Sequence, residues 1–189
     1  MKWFLPFLAF IFFAELMAKS KFVLWNSSNL ILYYIISIVE SIFYGYVFYQ
    51  LFERFSIKWL VIFLTSFILT AYFVAPLFFG FNHSTFLTTL LTSGFFLTGI
   101  ALWYLFSEFF PETDKILIHE PGFWISFGVS IFFSGNSIVF SMYTFIIRNE
   151  LSLFHLPLYN FVPRLLCIVL YSSISIAIIL CKKKTVISY

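Results

Sequence analysis

The stretch from Pro121 to Ile147 reads PGFWISFGVSIFFSGNSIVFSMYTFII and contains no charged residue. At about 1.5 Å of rise per residue, a helix of this length crosses the roughly 30 Å hydrocarbon core of a bilayer with length to spare. The stretch therefore predicts one transmembrane helix, and the other elements of the chain can be ordered around it.

The small residues of this stretch are regularly spaced. Gly128 and Gly135 share one side of the predicted helix, and Asn136 lies beside them near mid-membrane. The serines follow another side at intervals of three and four residues, which is a helical stripe; they are Ser126, Ser130, Ser134, Ser137 and Ser141. Because interfaces between membrane helices are enriched in small residues, we expect Gly128, Gly135, Ser130 and Ser134 to pack against neighbouring helices.

The composition of the whole chain indicates the same environment. Of its 189 residues 62% are hydrophobic and 10% are charged, and the mean hydropathy is +1.01. A soluble domain typically carries about 25% charged residues. The chain is therefore predicted to be an all-α polytopic membrane protein, with residues 1–189 forming a single transmembrane domain in contact with the lipid bilayer. The net charge of +3 is modest, and nucleic-acid binding is not expected.

Six hydrophobic segments predict a bundle of six transmembrane helices. The first segment is short and follows Lys2, which is also typical of a signal peptide, although Leu16 makes a poor cleavage pattern after Ala18. Pro76 is expected to kink or end the third segment. The six segments span residues 3–18, 30–52, 59–79, 84–106, 121–147 and 158–181.

The distribution of lysine and arginine predicts the orientation. With six crossings, both termini share a side with the second and fourth loops, and this side carries seven of the 11 basic residues. The positive-inside rule then places both termini in the cytoplasm of a cell with an inner membrane. The seven are Lys2, Arg54, Lys58, Lys115, Lys182, Lys183 and Lys184; the other four are Lys19, Lys21, Arg148 and Arg164.

Glu40 lies near the middle of the second segment, where a carboxyl group costs at least roughly 2.5 kcal/mol. Tyr33, Ser37, Glu40 and Tyr44 follow helical spacing, so hydroxyl groups are predicted one turn either side of the carboxyl. Two interpretations stay open: a functional polar pocket, or a protonated carboxyl that makes structural hydrogen bonds. Asn136, at similar depth, is the expected partner in either case.

A second pair, Glu15 and Arg164, is predicted at similar depth near the outer edge of the membrane. Glu15 lies near the outer end of the first segment and Arg164 near the outer start of the sixth. If the two side chains meet, each offsets part of the other's desolvation. The alternative is that each side chain reaches the interface separately.

Motifs for metal binding and catalysis are sparse. His83, Glu150 and His155 fall on the predicted outer side, but they come from separate loops without the spacing of a zinc site. We find no nucleophile elbow, phosphate-binding loop or dinucleotide-binding turn. The sequence therefore predicts a protein that is not an enzyme and that has no metal or cofactor.

Two stretches together carry a family resemblance. One is the segment from Asn29 to Phe52 with its central Glu40; the other begins at Glu120 and includes the aromatic and small residues up to Gly135. They resemble an uncharacterised family of small multi-spanning bacterial inner-membrane proteins of the Bacteroidetes type. Some members of this family are similar to the membrane regions of sensor kinases but have no kinase domain. The resemblance implies a helical inner-membrane protein.

The function expected from these features is sensory or accessory. The protein would act through helix contacts with a membrane-protein partner or with a second copy of itself. The alternative is a small transporter or channel-like protein with a polar path around Glu40 and Asn136. An intramembrane enzyme is the least favoured class because no nucleophile and base stand together in the sequence.

Overall fold

The computed structural model describes residues 4–25, 29–109, 117–153 and 155–187, and within these ranges the chain is almost entirely helical. The predicted all-α class is confirmed. The helices are α1 (Phe4–Trp25), α2 (Leu30–Leu51), α3 (Phe55–Phe79), α4 (His83–Phe109), α5 (Pro121–Ser141), α6 (Tyr143–Arg148) and α7 (Leu158–Ile187). A single 3-10 turn, Leu117–His119, precedes α5.

Five helices in the described part of the chain are long and apolar enough to cross a membrane. The predicted count of six is not confirmed, because the apolar part of α1 is limited to Pro6–Ala18. A helix of that length rises about 20 Å, which is less than the hydrocarbon thickness of a typical bilayer. The five candidate spans are Leu30–Leu51, Ser56–Phe79, His83–Ser107, Pro121–Ser141 and Leu158–Cys181.

The prediction of one regular helix from Pro121 to Ile147 is wrong at its C-terminal end. The helix is interrupted at Met142, whose φ of −91° and ψ of 7° depart from helical values. The carbonyl oxygen of Ile138 accepts hydrogen bonds both from the Met142 N–H and from the Ser141 hydroxyl. Such competition from a serine side chain weakens a regular helix end.

A short β-hairpin that the sequence did not predict connects α6 to α7. Its antiparallel strands are β1 (Ser152–Leu153) and β2 (Leu156–Pro157). Glu150 and His155 both adopt positive φ, at 50° and 62°, which lets the chain reverse within a few residues. Strands of two residues are too short to show a hydrophobic alternation.

The chain divides into two compact units, residues 1–90 and 91–189, and the division falls within α4. The prediction of a single transmembrane domain stays a prediction.

Aromatic side chains hold the first unit together. The Phe7 ring of α1 stacks on Phe43 of α2 with 3.7 Å between the ring centroids. Tyr34 of α2 packs edge-on against Tyr72 of α3 at 5.9 Å and lies 5.0 Å from Phe86 of α4. Since buried aromatic pairs add to the free energy gained from burial alone, these contacts stabilise the unit from both ends of α2.

The ends of α3 follow from local chemistry. Pro76 lies in the last turn, and the helix continues past it to Phe79. Gly80 ends the helix with φ at 77°, a backbone conformation that residues other than glycine rarely adopt. Its N–H donates to the Pro76 carbonyl at 2.9 Å. The helix thus ends near Pro76, as predicted.

Candidate functional site

The buried polar face of α2 is offset from the predicted one. Ser37 and Tyr44 are buried, with 6% and 2% of their surface exposed, whereas Tyr33 is 38% exposed. Glu40 is half-buried at the edge of this face and interacts with its surroundings. The polar cluster of α2 therefore consists of buried hydroxyl groups with the Glu40 carboxyl beside them.

Sequence reasoning missed two residues of this face, Tyr34 and Ser41. Both are buried, and the Ser41 hydroxyl donates to the Ser37 carbonyl at 2.8 Å. The signal was present in the sequence, because positions 34, 37, 41, 44 and 48 alternate spacings of three and four and share one helical stripe. The predicted set began one residue too early, at Tyr33.

In the second unit, α5 approaches α7 closely at two glycines. A Cβ atom added at Gly128 would lie 2.7 Å from the Cβ of Ser173. One added at Gly135 would lie 2.7 Å from a methyl carbon of Leu166. Both distances are too short for a side chain, so α7 fits against α5 only because glycine occupies these positions.

The same helix meets α4 at two further glycines. A Cβ atom at Gly94 of α4 would lie 2.5 Å from the Ser137 hydroxyl oxygen. At the start of α5, the position of a Cβ on Gly122 is occupied by the Tyr104 hydroxyl group. Thus α5 packs closely on α4 and on α7, and it forms the centre of the second unit.

The serine stripe of α5 runs from the interior to the surface. Ser126 is fully buried and Ser130 is 7% exposed, whereas Ser141 is exposed. The Ser134 hydroxyl donates to the Ser130 carbonyl at 2.6 Å and thereby stays within its own helix. Hydroxyl groups satisfied in this way let a polar stripe pack without a ligand.

Three buried polar atoms of the second unit have no hydrogen-bonding partner within the part of the chain that the structure describes. They are the side-chain oxygens of Thr98, Ser126 and Asn136. Asn136 itself is half-buried. Because a buried oxygen without a partner is costly, these positions mark a polar interior.

The predicted pair of Glu15 and Arg164 lies partly outside the described residues. The backbone of Glu15 belongs to α1, but its side chain lies outside the described part of the chain. Arg164 is exposed near the start of α7. The ion pair stays a prediction.

The candidate metal ligands are dispersed. Across the described ranges, no three His, Cys, Asp or Glu side chains are grouped in a way that could hold a metal ion. His155 lies in the hairpin turn and Glu150 at the end of α6, and both are exposed. The two cysteines, Cys167 and Cys181, are free thiols on α7.

The fold and these sites define a helical protein with several apolar helices of membrane-spanning length. Comparisons with protein-family models, curated proteins and solved structures give no match to this chain.

Proposed function

We propose that this chain is a non-enzymatic integral membrane protein of the sensory or accessory type. It acts through contacts between its helices and a partner in the membrane, which is either another protein or a second copy of the chain. The observation that carries this proposal is a polar stripe on the outer surface of α7.

The stripe consists of Tyr171, Ser172 and Ser175, all exposed. They lie a few residues past the middle of the span Leu158–Cys181, at a depth where lipid tails offer no hydrogen bonds. The Ser175 hydroxyl donates to the Tyr171 carbonyl at 2.8 Å. Small hydroxyl residues on the outside of a membrane helix favour close approach by another helix.

The stripe is bounded by bulky apolar residues. Ile168 and Ile179 are 66% and 63% exposed on either side of it. They follow helical spacing with Ser172 and Ser175, so the two serines are small residues on an otherwise apolar face. Such a face can receive a partner helix, and the flanking isoleucines add apolar contact.

A photo-crosslinking residue at position 172 tests the proposal in native membranes. We expect one crosslinked species of defined mass, whose protein component is identified by mass spectrometry as a second copy or another membrane protein. The matched control carries the same residue at position 63, because Phe63 is 66% exposed on α3. Adducts with lipid alone at both positions would contradict a helix contact at α7.

We further propose a cell inner membrane as the location, with both termini in the cytoplasm, in keeping with the family resemblance. The support is the excess of basic residues, seven against four, when α1 crosses the membrane. If α1 does not cross, Lys2 moves to the side of Lys19 and Lys21, and the counts become six and five. The orientation of the N-terminus therefore depends on α1, whereas that of the C-terminus depends on Lys182, Lys183 and Lys184.

The second candidate function is a small transporter or channel-like protein with a polar path around Glu40 and Asn136. The observation that favours it is the set of buried side-chain oxygens without partners at Thr98, Ser126 and Asn136. In proteoliposomes loaded with a pH-sensitive dye, transport of protons would be slowed by Glu40→Gln. Proton flux equal to that of protein-free liposomes would exclude a proton-coupled role.

A further inference from the structure

A groove of about 300 Å³ opens between α2 and α3 on the surface of the first unit. Its floor contains Gly45 and Val61, both buried, and its rim contains Tyr46, Ile62 and Ser66, all exposed. At Gly45 the two helices approach closely, and Thr65 of α3 occupies the position of a Cβ there. Its volume is at the lower end for ligand sites, so it matches one hydrocarbon chain better than a whole lipid.

The lining is apolar with a few hydroxyl groups. Val61 and Ile62 provide hydrocarbon surface, and the rings of Tyr46 and Tyr49 provide amphipathic walls. Thr65 lies against Gly45, with a methyl carbon 2.7 Å from the position of a Cβ there. Such a surface suits an acyl chain, because tyrosine rings place their apolar faces toward hydrocarbon and their hydroxyl groups toward the headgroup region.

A cation stands at the end of the groove nearest the membrane edge. The ammonium group of Lys58, near the start of α3, lies 5.2 Å from the centroid of the Tyr49 ring near the end of α2. From Lys58 to Thr65 a helix rises about 10 Å, so the groove runs from this cation toward the hydrocarbon core. The arrangement is complementary to a phospholipid, because it offers a cation at the membrane surface and an apolar groove below it.

The charge favours an anionic headgroup. The ring contact leaves the N–H donors of Lys58 able to bind oxygen atoms, because a ring attracts the charge without accepting every donor. Glu53 and Arg54, both exposed in the connecting turn, carry opposite charges. These two charges cancel, so the charge of Lys58 makes the net charge at the mouth of the groove positive.

The flanking side chains disfavour a helix as the occupant. Trp59 and Phe63 are 58% and 66% exposed on α3. The one glycine among the described residues that line the groove, Gly45, is already covered by Thr65, so a second helix finds no glycine surface there to approach closely. A flexible acyl chain needs no such surface and fits between bulky side chains.

We propose that the groove between α2 and α3 binds one acyl chain of an anionic phospholipid and that Lys58 holds the phosphate of the same molecule. This site is independent of the proposed partner contact at α7, because it uses other residues on other helices.

Native mass spectrometry of the full-length protein tests the site, with phosphatidylglycerol and phosphatidylcholine of identical chains as probes. We expect the first lipid to bind about fivefold more tightly, the preference that one basic residue near a membrane surface supplies. Lys58→Gln should abolish this preference. Arg148→Gln, which removes an exposed charge from α6, should keep it.

A second variant tests the groove itself. Ser66→Phe places a ring at the exposed rim and should lower the binding of both lipids, while an unchanged melting temperature shows that the fold is intact. Equal binding of the two lipids by the unmodified protein would overturn the proposal. A loss of preference in Arg148→Gln equal to that in Lys58→Gln would also overturn it. Unchanged lipid binding in Ser66→Phe, or a lipid-free dimer joined through this groove, would do the same.

Discussion

Two helix pairs, α5 with α7 and α2 with α3, both meet at glycine, yet one contact is closed and the other opens into a groove. At Gly135, the space for a side chain is filled by Leu166, with two methyl carbons at 2.7 and 2.9 Å. At Gly45, the space for a side chain is likewise filled, by Thr65 with a methyl carbon at 2.7 Å and its hydroxyl oxygen closer still, but open space lies beside this contact. Each pair belongs to one of the two compact units.

The difference teaches that close approach at a glycine does not by itself close the whole contact between two helices. Both glycines are covered from the facing helix, Gly135 by Leu166 and Gly45 by Thr65. What differs is the space beside the glycine, which stays open next to Gly45. Since α5 and α7 also meet closely at Gly128, the α5–α7 contact should contribute more to stability than the α2–α3 contact.

The largest effect is expected at the closed contact. Gly135→Leu should lower the free energy of unfolding by about 3 kcal/mol, because the new side chain overlaps Leu166. The matched control is Gly99→Leu, since Gly99 is exposed and has no heavy atom within 4 Å of its added Cβ. Thermal unfolding in detergent measures both. Similar melting temperatures for the two variants would show that the α5–α7 contact is loose.

A smaller effect is expected at the α2–α3 contact, because the substitution adds only one methyl group. Gly45→Ala places that methyl group against the Thr65 hydroxyl oxygen and 2.7 Å from its methyl carbon, and should cost about 1–2 kcal/mol. Thr65→Ala in the same chain should recover most of this cost, since the double variant removes the overlap. The coupling energy from a double-mutant cycle is the measured quantity, and a value near zero would mean that these two positions do not meet.

The smallest effect is expected at Glu40. We predict a protonated carboxyl that is hydrogen-bonded within the protein, because an ionised carboxylate at this depth in a bilayer is costly. Glu40→Gln keeps a hydrogen-bonding group and should fold with little loss, whereas Glu40→Ala should cost about 1 kcal/mol more. Infrared difference spectra should contain a protonated carboxyl band that disappears in Glu40→Gln. An ionised carboxylate at neutral pH would contradict the structural role and favour a hydrated path.

Much of the fold could be predicted from hydropathy because membrane helices need long apolar runs. The start of α5 at Pro121 was readable from a proline that suits the first helical position after Glu120. Its end was not, because the backbone departs from helical geometry at Met142, within a run of uncharged residues that continues to Ile147. The length of α1 was also misjudged. Hydropathy marks only the apolar run, whereas the helix continues beyond it, past Lys19 and Lys21.

The candidate sites were harder to predict. The sequence placed Gly128 and Gly135 on one face, but it could not say that Ser173 and Leu166 face them, because helix spacing gives no information about the neighbouring helix. The groove at Gly45 was missed for the same reason. On α2, choosing Tyr33 rather than Tyr34 rotated the predicted polar face by one residue.

The most direct test of the account is the side of the membrane on which each connection lies. Reporter fusions at Glu53 and after Tyr189 should both report the cytoplasm, and fusions at Asn82 and Ser152 should report the opposite side. This alternation follows from the five candidate spans and holds whether or not α1 crosses. A tag before Met1 then decides the role of α1. If Asn82 and Glu53 reported the same side, α3 would not cross the membrane and the account would be contradicted.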